Sequence, residues 1–164
     1  MTKFKNTSIN LISDWNTIWK AKDTVLKDFV KVPIKLIVWY DSLLCVSCQI
    51  TKMDEWNEIT MYADSFAEWF SIIYLFTPQR KDLFILDAIL KDTEFNYPLF
   101  IDINGTFVRQ NPNLPKQQQL HTFLLDKNNR VILVGNPLHN PPLWELYKST
   151  IQKLIVHDGV LPAQ

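Results

Sequence analysis

Glycine is scarce in this chain. Only Gly105, Gly135 and Gly159 occur among 164 residues. A phosphate loop needs several glycines so that its backbone can approach the phosphates, and none can be built here. That removes most nucleotide-binding readings. Neither sign of charge is in excess: Lys+Arg and Asp+Glu stand at 17 each. Without a basic patch or an acidic tail, no nucleic acid is expected as a partner. The apolar runs fall far short of a membrane span. A secretory signal is also missing, because Met1-Thr2-Lys3-Phe4-Lys5-Asn6 is not followed by a signal-like apolar stretch. Two expectations fit that absence: a cytosolic protein, or one whose signal and anchor lie outside this sequence. Cysteine is nearly absent too, and the two that occur are Cys45 and Cys48.

What is present is enough for one domain with a sizeable core. Hydrophobic residues make up 47%, too many for a disordered chain. Aromatics are abundant, with six Trp, five Tyr and ten Phe. Residues 14–29 carry helix-like spacing through Trp15, Ile18, Trp19, Val25 and Phe29, and Pro33 ends it. Residues 34–40 are β-branched, aromatic and apolar almost throughout, as in a central strand covered on both faces. A helix is expected over residues 49–66, with Met53, Trp56, Ile59 and Ala63 on one face. Residues 69–76 form a second buried strand. Thr77-Pro78 supplies a cap and a first-turn proline for a helix running to about Lys91. Residues 98–102 make a short strand ending at the Asn104-Gly105 turn. Residues 122–126 and 130–134 flank Lys127-Asn128-Asn129 as a β-hairpin. Asn140-Pro141 opens a last helix with Leu143, Tyr147, Ile151 and Leu154 on one face. Alternating strands and helices followed by a hairpin imply a mixed sheet with helices on both faces.

Cys45-Val46-Ser47-Cys48 sits where the first core strand gives way to a helix. Cysteines at that spacing and junction read as a redox pair. A helix N-terminus favours a thiolate, since its unpaired N–H groups place positive potential there. The competing readings are two unreactive core cysteines, or a fixed structural disulfide. Zinc would need two further ligands, and His121, His139 and His157 lack the paired spacing that supplies them.

The element order and the Cys-x-x-Cys after the first core strand resemble the thioredoxin-like proteins. The resemblance is closest to the exported thiol–disulfide oxidoreductases of the bacterial envelope, lipoproteins among them. It covers residues 34–155 and rests on residues 36–48, 98–105 and 122–135. It implies an α/β thioredoxin-like fold over residues 34–164, with residues 1–33 as an N-terminal extension packed on it. It implies exchange with protein thiols or disulfides, no cofactor, a place in the cell envelope or periplasm, and membrane contact only through a lipid anchor outside this sequence. Cys45 would be the attacking thiolate. Cys48 would resolve the mixed disulfide, burial keeping it protonated until then.

The departures from the family pattern are specific. Leu44 stands where the family usually has Trp, and Val46-Ser47 replaces Gly-Pro. Trp39 stands where many members bury a carboxylate, so the nearest one is Asp41. Leu120, followed by His121, takes the place of a cis-proline facing the thiols. A cis bond before a non-proline residue costs about 3 kcal/mol, so a trans peptide is expected. His121 could relay a proton to Cys48, could join the thiols on copper as in fold-sharing copper chaperones, or could be a half-exposed loop histidine. Asp41 could accept the proton of Cys48 or be a solvated residue before a loop. The alternative to an enzyme is a binding module or a copper-handling chaperone, with Leu120 and His121 on its recognition loop.

Overall fold

The computed structural model describes residues 3–11, 16–19 and 26–162. Its strands are β1 (Asn16–Trp19), β2 (Ile34–Tyr40), β3 (Phe70–Phe76), β4 (Leu99–Ile101), β5 (Thr122–Leu125) and β6 (Val131–Val134). Its helices are α1 (Leu26–Lys31), α2 (Val46–Ile50), α3 (Asn57–Asp64), α4 (Leu83–Asp92), α5 (Thr106–Gln110) and α6 (Pro141–Val156). The sheet order is β1-β4-β3-β2-β5-β6. β2 runs parallel to β3, and β3 to β4, while β5 is antiparallel to β2 and to β6. The sheet is therefore mixed, as the element order implied.

The period-2 alternation of strands puts successive side chains on opposite faces. Ile34, Leu36, Val38 and Tyr40 of β2 join Phe70, Ile72, Tyr74 and Phe76 of β3 in one core, closed by α2, α3, α4 and α6. Ile37 and Trp39 join Ile73, Leu75, Phe100 and Phe123 in a second core, closed by Phe107 of α5 and by Phe4 and Ile9. Central β2 is thus covered on both sides, which is why it reads as an almost unbroken apolar run.

Three expectations are corrected. Residues 16–19 are strand rather than helix, and they pair antiparallel with β4 (Asn16↔Ile101, Thr17↔Phe100). The backbone groups along the outer side of β4 need partners, and that demand outweighs local helical spacing. Trp15 and Val25, also assigned to that helix, lie outside the described residues. Thr77 does not cap α4: its Oγ1 accepts from Trp39 Nε1 at 3.0 Å, and the helical turns begin only at Arg80. The helix expected over residues 49–66 starts earlier, at Val46, and is interrupted. Thr51 Oγ1 donates to the Cys48 carbonyl at 3.1 Å, and a 3-10 turn (Met53–Trp56) separates α2 from α3. Val46, Ile50, Met53, Trp56, Ile59 and Ala63 are still buried in one row. α5 is a further element, one that the sequence pattern does not announce.

Candidate functional site: a disulfide at the carboxyl edge of the sheet

β2 and β3 end side by side, with Tyr40 opposite Phe76. Beyond β2 the chain turns tightly. Asp41 Oδ1 accepts from the Leu43 amide at 2.9 Å, and the Asp41 carbonyl accepts from Leu44 N at 3.2 Å. Gln79 Nε2 donates to the Ser42 carbonyl at 2.8 Å and ties this turn to the segment after β3. Cys45 then occupies the N-cap of α2 with an extended backbone. Its sulfur does what a capping oxygen does elsewhere, accepting from Cys48 N at 3.3 Å.

Cys45 and Cys48 are joined in a disulfide, with Cα atoms 5.2 Å apart. The pairing follows from helix geometry, because residues three apart lie on one face. Val46 and Ile50 take the opposite, buried face. Both cysteines are therefore exposed. The expectation that Cys48 is buried is wrong for this reason: the apolar positions of α2 face away from it. Ser47, which the motif reading passed over, places Oγ 3.2 Å from Cys45 Sγ. A small cavity of about 50 Å³ lies against Cys45, walled by Val46 and by Ile85, Leu86 and Ile89 of α4.

His121 does not turn to the sulfurs. It is buried, 3% exposed, and not the half-exposed loop residue of one reading. Its backbone carbonyl accepts from Trp39 N at 3.0 Å, and its ring lies 4.1 Å from the Trp39 ring at 33°. Nε2 sits 2.8 Å from the Pro115 carbonyl. A carbonyl only accepts, so Nε2 carries the hydrogen and Nδ1 is a bare lone pair. Nδ1 lies 3.6 Å from Asp41 Oδ2 and has no hydrogen-bond partner. Burial pushes the His121 pKa down, against the opposing pull of Pro115 and then Asp41. The imidazole is accordingly neutral near neutral pH, and the contact with Asp41 is not an ion pair.

Asp41 is also buried, at 8% exposure, rather than solvated ahead of its loop. The structure thus brings Asp41 and His121 together, under the turn that leads to Cys45. Beside them a cleft of about 410 Å³ opens between Trp39, Leu43, Val108, Leu114 and Pro115. Leu120, partly buried, ends a 3-10 turn (Gln118–Leu120), and no cis peptide occurs among the described residues, as expected there. His139 and His157 are exposed. No group of three or more His, Cys, Asp or Glu placed to hold a metal occurs among the described residues. With both His121 nitrogens directed elsewhere, that ring is not arranged to join the thiols on copper.

A mixed sheet whose central parallel strand delivers a Cys-x-x-Cys disulfide to the start of a helix defines the thioredoxin-like fold, and the chain has it. Three solved structures make the likeness particular. One is assigned as the thiol:disulfide interchange protein DsbE of Chlorobium tepidum. It matches with a TM-score of 0.56 at 14% identity, over 90% of this chain and 97% of that one. The exposed lipoprotein thioredoxin Etrx1 of Streptococcus pneumoniae matches with a TM-score of 0.54 at 14% identity, over 82% and 98%. AhpC of Enterococcus faecalis matches with a TM-score of 0.57 at 13% identity, over 98% and 99%. No family model and no curated protein matches the chain.

Proposed function

We propose that this protein is a thiol–disulfide oxidoreductase acting on protein thiols or disulfides through Cys45 and Cys48. The observation that carries the reading is the exposed disulfide at the mouth of α2, in a thioredoxin-like fold. A thiolate of the partner attacks Cys45 Sγ. A bond between the two proteins forms, the Cys45–Cys48 bond breaks, and Cys48 leaves as a thiolate that takes a proton. A second partner thiolate attacks the partner's own sulfur in the mixed disulfide and releases Cys45. Two electrons have then moved to this protein, and the partner dithiol has become a disulfide. A reduced Cys45 thiolate runs the sequence in reverse on a partner disulfide.

Both cysteines are exposed, so burial does not divide their roles. The division rests instead on hydrogen bonding, since Cys45 Sγ is the one that accepts from Cys48 N and lies against Ser47. His121 and Asp41, 3.6 Å apart, are proposed to position the turn before Cys45, where Asp41 also accepts from the Leu43 amide. Leu120, beside His121, is proposed to line the partner's approach. An envelope location is supported by the likeness to the DsbE and exposed-lipoprotein structures. No helix among the described residues is long and apolar enough to cross a membrane.

The test is reduction of insulin by dithiothreitol in the presence of the protein. Turnover well above background is expected for the parent chain and background turnover for Cys45→Ser. Equal rates for the two would overturn the reading.

A further inference from the structure

We propose that the outer face of α4 is a self-association surface that takes a second copy of this chain, the two α4 helices packing antiparallel about a two-fold axis. The proposal goes beyond the exchange reading and does not rest on it.

A helix laid on the outside of a sheet keeps its outer face polar, and one that is apolar all round is a buried helix. Seven of the ten residues of α4 are Leu, Ile, Phe or Ala. Leu86 and Leu90 face the core, and Leu83 and Ile89 pack on its margin. Phe84 is nevertheless 90% exposed and Ile85 47%, with Ala88 exposed one turn on. Helical spacing puts Phe84, Ile85, Ala88 and Asp92 on one stripe, and Lys81 lies one turn before it. Ile85 also walls the cavity against Cys45, so the stripe borders the disulfide.

The charges at the two ends choose the occupant. Arg80 and Lys81 stand at the start of the helix, and Asp92 and Glu94 at its finish, all exposed. Asp82 and Lys91 offset one charge at each end and leave its sign unchanged. This placement opposes the helix dipole, which favours acids at the start and cations at the finish. Arg80, Lys81, Asp92 and Glu94 have no ion-pair partner among the described residues. A second copy laid antiparallel supplies the partners. Its basic end meets the acidic end of the first, twice over, and Phe84 of each copy lies over the small Ala88 of the other. A parallel arrangement would set like charges together.

Area sets the strength. Phe84 offers at most on the order of 200 Å², and a helix of this length spans about 15 Å. Such a face falls short of the roughly 800 Å² per partner of a stable complex, so the dimer is reversible and depends on concentration.

Sedimentation equilibrium of the full chain, from about 10 µM to about 1 mM, tests this over the range where weak association is measurable. A monomer–dimer equilibrium is expected for the parent chain. Phe84→Ser should weaken it at least about tenfold, as for an aromatic anchor, and should leave Tm unchanged because the side chain is exposed. Arg80→Glu with Lys81→Glu should weaken pairing, as should Asp92→Lys with Glu94→Lys, since each pair of changes makes both ends alike. An equimolar mixture of these two variants should associate again, because one is acidic at both ends and the other basic. Cys45→Ser should pair like the parent, which separates this contact from an intermolecular disulfide. A monomer throughout the range would overturn the proposal. So would a dimer that Phe84→Ser does not weaken and the mixture does not restore. Either result leaves the exchange reading standing.

Discussion

Trp39 makes three separate contacts near the end of β2. Its indole donates to Thr77, its backbone amide to the His121 carbonyl, and its ring packs on the imidazole. His121 is held in an apolar layer with one bare nitrogen facing Asp41. The linkage has a definite sign. Its folded pKa lies below the unfolded value of about 6.5, so between the two the unfolded chain binds more protons. Stability from this group is complete above about pH 6.5 and is lost as pH falls through that value toward the folded pKa. His121→Gln, with an uncharged side chain, should flatten the fall of Tm between about pH 6.5 and 5, measured by thermal unfolding. An unchanged acid limb would place the proton uptake elsewhere. At this scale the cysteines were legible, because their spacing and flanking pattern are local. His121 was legible as a neighbour of the site but not as a buried residue, because Trp39 and Asp41 close on it from a segment about 80 residues earlier in the chain.

Among the elements, α5 shows how a short helix escapes sequence reading while mattering to the site. It has five residues and no apolar stripe to announce it. It is specified by a residue at the end of β4: buried Asp102 accepts from Thr106 N at 2.9 Å and Phe107 N at 2.8 Å. Gly105, with φ at 64°, supplies the left-handed residue that turns the chain between them. Phe107 then packs on Trp39, with ring centroids 5.7 Å apart, so α5 supports the floor on which His121 rests. Asp102→Ala should cost about 1–3 kcal/mol in urea unfolding, as the loss of a charged cap leaves two amides short of partners. A loss below about 0.5 kcal/mol would show that the packing of Phe107 alone fixes α5. The break between α2 and α3 has a similar origin. Thr51 turns back on the Cys48 carbonyl, a side-chain choice that periodicity does not reveal.

For the molecule as a whole, residues before β2 are tied to both ends of the sheet. β1 pairs with β4, and the stretch near Asn6 to Ile9 exchanges backbone hydrogen bonds with Asn129 and Val131 at the opposite edge. Lys35 fastens the entry into β2. It is 2% exposed, and its ammonium donates to the carbonyls of Val32 at 2.9 Å, Pro33 at 3.4 Å and Val30 at 3.5 Å. Burial lowers its pKa to about 8, with Asp126 pulling the other way. Above that value the folded chain releases a proton that the unfolded chain still holds, so stability rises with pH from about 8. Buried Tyr40, Tyr74, Tyr97 and Tyr147 have raised pKa values and impose the opposite slope above about pH 10, where unfolded tyrosine ionises. Lys35→Met should remove the rise between about pH 8 and 10 in urea titrations and leave the decline beyond it. A rise that survives the substitution would assign it to another group.

The sequence by itself determined the central strands, the hairpin, the last helix and the cysteine pair at a strand–helix junction. Each is written in spacing a few residues long, and burial only had to agree with it. Tertiary structure decided the rest. It made residues 16–19 an edge strand because β4 lacked a partner, and it left Cys48 in water because Val46 and Ile50 claimed the inner face of α2. It buried His121 against Asp41 and aimed the Ser47 hydroxyl at Cys45. These outcomes depend on which surfaces meet and where α2 begins, and hydrophobic spacing along one segment carries no record of either.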